Sequence, residues 1–79
     1  MGDFMNEKHL ENYKQLGLNI RYYRRSKEYT QMELAEIIDV DITHISKIEL
    51  CKVGASLDVV FEIAEVLEVP VHKLFEAKD

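Results

Sequence analysis

A chain of 79 residues, 47% hydrophobic, with a net charge of −5, supports one small domain that buries only about 60–65% of its unfolded surface and gains from dimerising. One cysteine, Cys51, excludes an internal disulfide, and no stretch reads as a leader or a membrane span, so a reducing, cytoplasmic setting is expected. The acidity is uneven: residues 1–20 carry −1, residues 21–52 carry zero and residues 53–79 carry −4.

Residues 1–13 place Phe4, Met5, Leu10 and Tyr13 among polar neighbours. They read as an N-terminal extension, partly disordered or a short helix, ahead of a domain at 14–79. The spacing of Leu10 and Tyr13 also allows an extension of the next helix. From about Lys14 to Lys27, Leu16, Ile20 and Tyr23 recur at i, i+4, i+7, which predicts an amphipathic helix with Arg21, Arg25 and Lys27 outside. Gly17 weakens its first turn slightly. Thr30 with Glu33 three residues on forms a capping box for a helix over 31–38, whose Leu34, Ala35 and Ile38 share one face. Asp39 stands where the chain must turn sharply, and aspartate tolerates the left-handed conformation better than most residues. Asp41 is the expected cap of a second short helix over 42–50, with Ile45 and Ile48 inside. Residues 51–55, with Gly54, read as a loop. Ser56 caps a helix running through Glu68, whose stripe of Leu57, Val60, Phe61, Ile63, Ala64 and Leu67 suits the main core helix. Val69-Pro70 breaks it, and Val71, Leu74 and Phe75 fit a short final helix. The expected fold class is all-α: five helices, no strand.

Two short helices meeting at a tight turn need a small side chain at their closest approach, and Ala35 supplies it. That bend sets Ile42, Thr43, Ser46 and Lys47 on an outer face of a size and shape that a DNA major groove receives. Catalysis has no foothold, because no carboxylate dyad, nucleophile–base pair or glycine-rich phosphate loop is present. His9, His44 and His72 are too scattered for a metal site, and no cofactor is implied. Against a nucleic-acid role stands the charge: a neutral middle segment is less basic than the usual electrostatic footprint.

The residues Ile20-Arg21, Arg24, Thr30-Gln31, Glu33-Leu34-Ala35, Val40-Asp41, Ile45 through Glu49, Lys52, Ser56-Leu57, Ile63-Ala64, Leu67 through Pro70 and Leu74-Phe75 form, in this order, a pattern that resembles the Xre/Cro-type helix-turn-helix repressors. That family includes phage repressors and the controller proteins of restriction–modification systems. The resemblance implies a five-helix lambda-repressor-like DNA-binding domain. It implies that Gln31 contacts a DNA phosphate and braces the reading helix, and that Ile42, Thr43 and Lys47 face base edges. Chemically, Lys47 suits guanine O6 or N7, Thr43 bonds either way and Ile42 suits a thymine methyl. His44 and Ser46 flank that face toward phosphate, and Lys52 matches a basic loop position used for the backbone. Arg24 and Glu49 match a structural ion pair between the first helix and the end of the reading helix. Val71, Leu74 and Phe75 read first as core and capping residues; family dimers often meet through the C-terminal helix, so the resemblance adds them as the expected dimer interface.

Three departures qualify the match. Asp39 and Cys51 stand where glycines are usual, and Leu50, Val53 and Ala55 replace residues that are often basic, polar or proline. At Cys51 the chain either adopts a left-handed turn, at a cost of about 1–2 kcal/mol, or extends the helix and turns at Gly54. Cys51 itself reads as an inert, partly buried hydrophobe rather than a redox switch. Glu62, Glu65 and Glu68 read as a solvated face, and Tyr23 as core, with Tyr22 and Tyr29 on the surface or at a partner contact. The expectation is a transcriptional regulator, a repressor, binding a near-palindromic operator in double-stranded DNA as a homodimer. The alternative is a protein-interaction module, such as an antitoxin or partner-binding subunit, in which a protein partner replaces DNA.

Overall fold

The computed structural model describes residues 5–77; expectations placed on residues 1–4, Phe4 among them, and on the last two residues lie outside it. A 3-10 turn at Glu7–His9 leads into helix α1, Leu10–Ser26. Helices α2, Gln31–Ile38, α3, Ile42–Glu49, and α4, Leu57–Leu67, follow, and a 3-10 helix at Val71–Phe75 closes the described chain. The described residues are thus all-helical, with four α-helices instead of the expected five. The fifth is a 3-10 helix because Pro70 starts a segment of only five residues, whose Lys73 N–H bonds back to the Pro70 carbonyl at 2.9 Å. Helix α1 also begins earlier than the periodicity of Leu16, Ile20 and Tyr23 indicates, taking in Leu10 and Tyr13.

Helix α1 is the spine against which α3, α4 and the closing 3-10 helix pack. Ile20, Leu34, Ile45, Ile63, Leu67 and Leu74 are all fully buried, so every main element contributes an aliphatic side chain to one core. Each such burial stabilises by about 1.5–3 kcal/mol. The capping box of α2 forms as its sequence requires: the Glu33 amide donates to Thr30 Oγ1 at 3.0 Å, and the Thr30 amide to Glu33 Oε1 at 2.8 Å. Ser56 likewise caps α4, accepting from the Val59 amide. Asp41 occupies the N-cap of α3 but its side chain makes no cap bond, contrary to expectation. On α4 the apolar stripe is narrower than its sequence suggests. Val60, Ile63, Ala64 and Leu67 point inward, whereas Leu57 and Phe61 are exposed, because the elements packed on α4 cover only one side of it.

All four α-helices end in the same way. Glu28, Asp39, Cys51 and Glu68 take left-handed φ near 60°. The amide of the next residue reaches back five positions in each case: Tyr29 to Arg24, Val40 to Ala35, Lys52 to Lys47 and Val69 to Ala64, at 2.8–3.1 Å. These closures satisfy carbonyls that the helix would leave unpaired. Among the described residues no glycine has positive φ, so the turn after α3 is made at Cys51 and not at Gly54, the first of the two alternatives there. Tyr29, Val40 and Val69 pack against the core and help offset the strain, while Lys52 is exposed at the equivalent place.

Candidate nucleic-acid interface

Helix α3 is fastened by its inner face and free on its outer one. Ile45 and Ile48 are buried, while Ile42, Thr43 and Lys47 are exposed. Val40, just after the turn, and Ala35, buried at the contact between α2 and α3, let the two short helices close on each other. His44 and Ser46 are half-buried at the edges of that outer face, and Lys52 projects from the turn beyond it. Thr43, Lys47 and Ile42 therefore share an accessible surface that mixes a hydroxyl, an ammonium and a branched alkyl group, the chemistry that base edges in a major groove can meet.

The base of α3 is set by a buried charge pair. Arg24 of α1 donates through Nε to Glu49 Oε2 at 2.7 Å and through Nη2 to Glu49 Oε1 at 3.0 Å, a two-pronged contact. Arg24 Nη1 also donates to the Tyr29 carbonyl at 2.8 Å, and Gln31 Nε2 donates to Glu49 Oε1 at 3.0 Å. One carboxylate thus ties α1, the start of α2 and the end of α3 together. Gln31 stays half-buried beside that carboxylate. Both charges are desolvated, with side-chain exposures of 8% and 2%, so neither is stable without the other.

Two residues behind this arrangement were not singled out for a role from sequence. Gly17 is buried where α1 meets the end of α3, and a Cβ there would lie 2.6 Å from the Ile48 carbonyl oxygen and 2.8 Å from that of Glu49. The backbone approach, not turn weakness, accounts for the glycine. Asn19, fully buried, donates through Nδ2 to the carbonyls of Leu74 at 2.8 Å and Glu76 at 2.7 Å. A polar residue inside the apolar repeat of α1 was the available signal, but its partners are backbone atoms some 55 residues away, which carry no side-chain signature.

At the C-terminal end the expected interface residues separate. Phe75 is 48% exposed and Val71 half-buried, but Leu74 is fully buried in the chain's own core and cannot contribute to a surface. It faces inward because the Asn19 bonds to Leu74 and Glu76 draw that turn onto α1. Phe75 and Leu57 instead line one groove of about 310 Å³ with Tyr13 and Ala55. Cys51 is half-buried, its sulfur about 4 Å from the Leu10 carbonyl and the Met5 sulfur. Among the described residues, no group of three or more His, Cys, Asp or Glu could hold a metal ion, and no helix is long and apolar enough to cross a membrane.

Known proteins share this fold. A family model described as helix-turn-helix matches residues 20–74. The HTH-type transcriptional regulator SinR of Bacillus licheniformis is 35% identical over 65 residues, covering 81% of this chain and 59% of its own length, so this chain spans about three-fifths of that relative. Among solved structures, SinR, the master regulator for biofilm formation, in complex with DNA, superposes with a TM-score of 0.71 at 34% identity, covering 77% of this chain and 98% of the solved one. The restriction–modification controller protein C.AhdI from Aeromonas hydrophila superposes with a TM-score of 0.78 at 23% identity, covering 82% of this chain and 98% of its own, a likeness of fold.

Proposed function

Because the chain belongs to the Xre/Cro-type helix-turn-helix family, we propose that it is a sequence-specific DNA-binding transcription regulator that holds a near-palindromic operator as a homodimer and represses. The observation that carries this reading is the exposed outer face of α3, with Thr43 and Lys47 directed away from the core while Arg24 and Glu49 fix the helix from behind. Ile42, Thr43 and Lys47 read base edges. Gln31, His44, Ser46 and Lys52 hold phosphates around them, and positioning of this kind carries no sequence information by itself. The SinR–DNA complex, at 34% identity, supports double-stranded DNA as the partner.

The apolar end of the molecule supports the dimer reading. Leu57, Phe61 and Phe75 are each about half or more exposed, and Val71 is near Phe75 in the chain. Exposed apolar side chains of this kind, with Leu57 and Phe75 lining one groove, suit an association site on a small domain. A two-fold copy joined there would carry two reading helices, matched to half-sites about 34 Å apart. Occupancy of such a site is enough to exclude other proteins from it, which is repression in its simplest form.

Selection of bound sequences from random duplex DNA with the purified protein tests the reading. The expected product is a near-palindrome with half-sites one helical turn apart, bound more weakly as salt rises. Recovery of no preferred sequence, together with tight binding to a basic protein, would transfer the assignment to a protein-interaction module, for which the acidic C-terminal third is suited.

A further inference from the structure

The net-neutral charge of residues 21–52 conceals a local excess. Arg21, Arg24 and Arg25 of α1 line one cleft of about 170 Å³ together with Gln31, Ser46 and Glu49. Glu49 is consumed by Arg24, with which it forms the buried pair. Arg21 and Arg25, one helical turn apart, are both exposed, and neither has a carboxylate within ion-pair distance among the described residues. The acidic residues of the same stretch do not line the cleft: Glu28, Glu33, Glu36, Asp39 and Asp41 are all exposed elsewhere. Folding has therefore sorted a neutral segment into a cleft with two uncompensated guanidinium groups, opening beside Ser46 at the edge of the reading helix.

We propose that this cleft is a backbone-phosphate seat, in which Arg21 and Arg25 clamp a phosphodiester of the bound duplex and thereby set the angle at which α3 enters the groove. A guanidinium offers a planar fork of donors that suits phosphate oxygens, and two of them one turn apart on a rigid helix lose little freedom on binding. Both act as positioning residues, since neither reaches a base. The inference rests on the DNA-binding reading above and extends the protein's hold on the duplex from α2 and α3 to α1.

The test measures affinity for a selected operator and for a scrambled duplex between roughly 50 and 200 mM salt, using the wild-type chain, Arg21→Gln/Arg25→Gln and Arg21→Lys/Arg25→Lys. Without the two phosphate-binding charges, the glutamine variant should weaken on both duplexes alike. Its disadvantage should shrink by about tenfold across that salt range, since the dimer carries two such seats and each neutralised phosphate adds a slope near 0.9. The lysine variant should recover most of that slope, because the charge remains, and all three should melt together, because the removed groups are exposed. A glutamine variant with wild-type slope and affinity overturns the seat and leaves the DNA-binding reading intact. If the wild-type chain binds neither duplex, that reading fails, and a titration with inorganic phosphate followed at the backbone amide resonances of Ser46 and Leu50, which also line the cleft, decides the inference alone. Saturable shifts that vanish in the glutamine variant uphold an anion seat, and their absence overturns it.

Discussion

Two buried polar side chains tie α3 and the closing 3-10 helix to α1, and they do it differently. Arg24 fixes the end of α3 through a charge pair with Glu49, shared with Gln31 and the Tyr29 carbonyl. Asn19, five positions earlier, fixes the C-terminal end through neutral bonds to the Leu74 and Glu76 carbonyls. The first contact is strong only while both partners are present, and its loss strands a charge in a dry place. The second loses less when broken, because its bonds are neutral and Glu76 is exposed, so water can reach that carbonyl. Helix α3 is therefore held by a contact that fails outright when either partner goes, while the closing 3-10 helix is held by neutral bonds whose loss costs less.

The largest effect should come from the charge pair. Glu49→Ala should lower stability by about 3–5 kcal/mol and reduce the melting temperature far more than Lys47→Ala, whose side chain is exposed. Equal melting of the two variants would place the pair among ordinary surface contacts. Next comes the close approach behind it. Gly17→Ala should destabilise by about 1–3 kcal/mol in denaturant unfolding, despite alanine's better helix propensity, because its Cβ meets backbone that cannot rotate away. Asn19→Ala should cost about 1–3 kcal/mol and speed amide exchange in the closing 3-10 helix ahead of α3, separating the two anchors.

Smaller changes sharpen the same contrast. Cys51→Gly should stabilise by up to about 1 kcal/mol, the relief of left-handed strain less the entropy of glycine, without altering the Arg24–Glu49 bonds. The smallest effect belongs to the exposed bond of Lys27 Nζ to Glu68 Oε1, 2.6 Å long, which joins the ends of α1 and α4. Hydrogen bonding and charge from Lys27 hold the Glu68 carboxyl below its usual pKa. Its contribution is then present above the ordinary carboxylate range and lost as pH falls through the lowered value. The difference between wild type and Lys27→Ala should accordingly be seen at neutral pH and vanish in strong acid.

The capping box at Thr30 and Glu33, the cap at Ser56, the inward pairs of α2 and α3 and the break at Pro70 were legible in the sequence, since each depends on residues within a few positions of one another. Leu57 and Phe61 misled, because hydrophobicity marks a stripe without stating how much of it the neighbouring elements will cover. Leu74 was legible as a core residue; what fails is its place at an interface, which the Asn19 bonds explain. Gly17 read as a weak helix former, since nothing local reveals a helix passing within a methyl group's width. The cleft of Arg21 and Arg25 was hidden for a related reason: a segment's net charge says nothing of how folding distributes it.

The most direct test of the central claim, that the outer face of α3 reads sequence, is the affinity of wild-type and Lys47→Ala chains for the selected operator and all its single-base-pair variants. The variant should lose about 1–3 kcal/mol on the operator and lose its preference at one base pair of each half-site, with discrimination elsewhere unchanged. Uniform weakening across every duplex would make Lys47 a phosphate contact, and unchanged affinity and preference would remove α3 as the reading element.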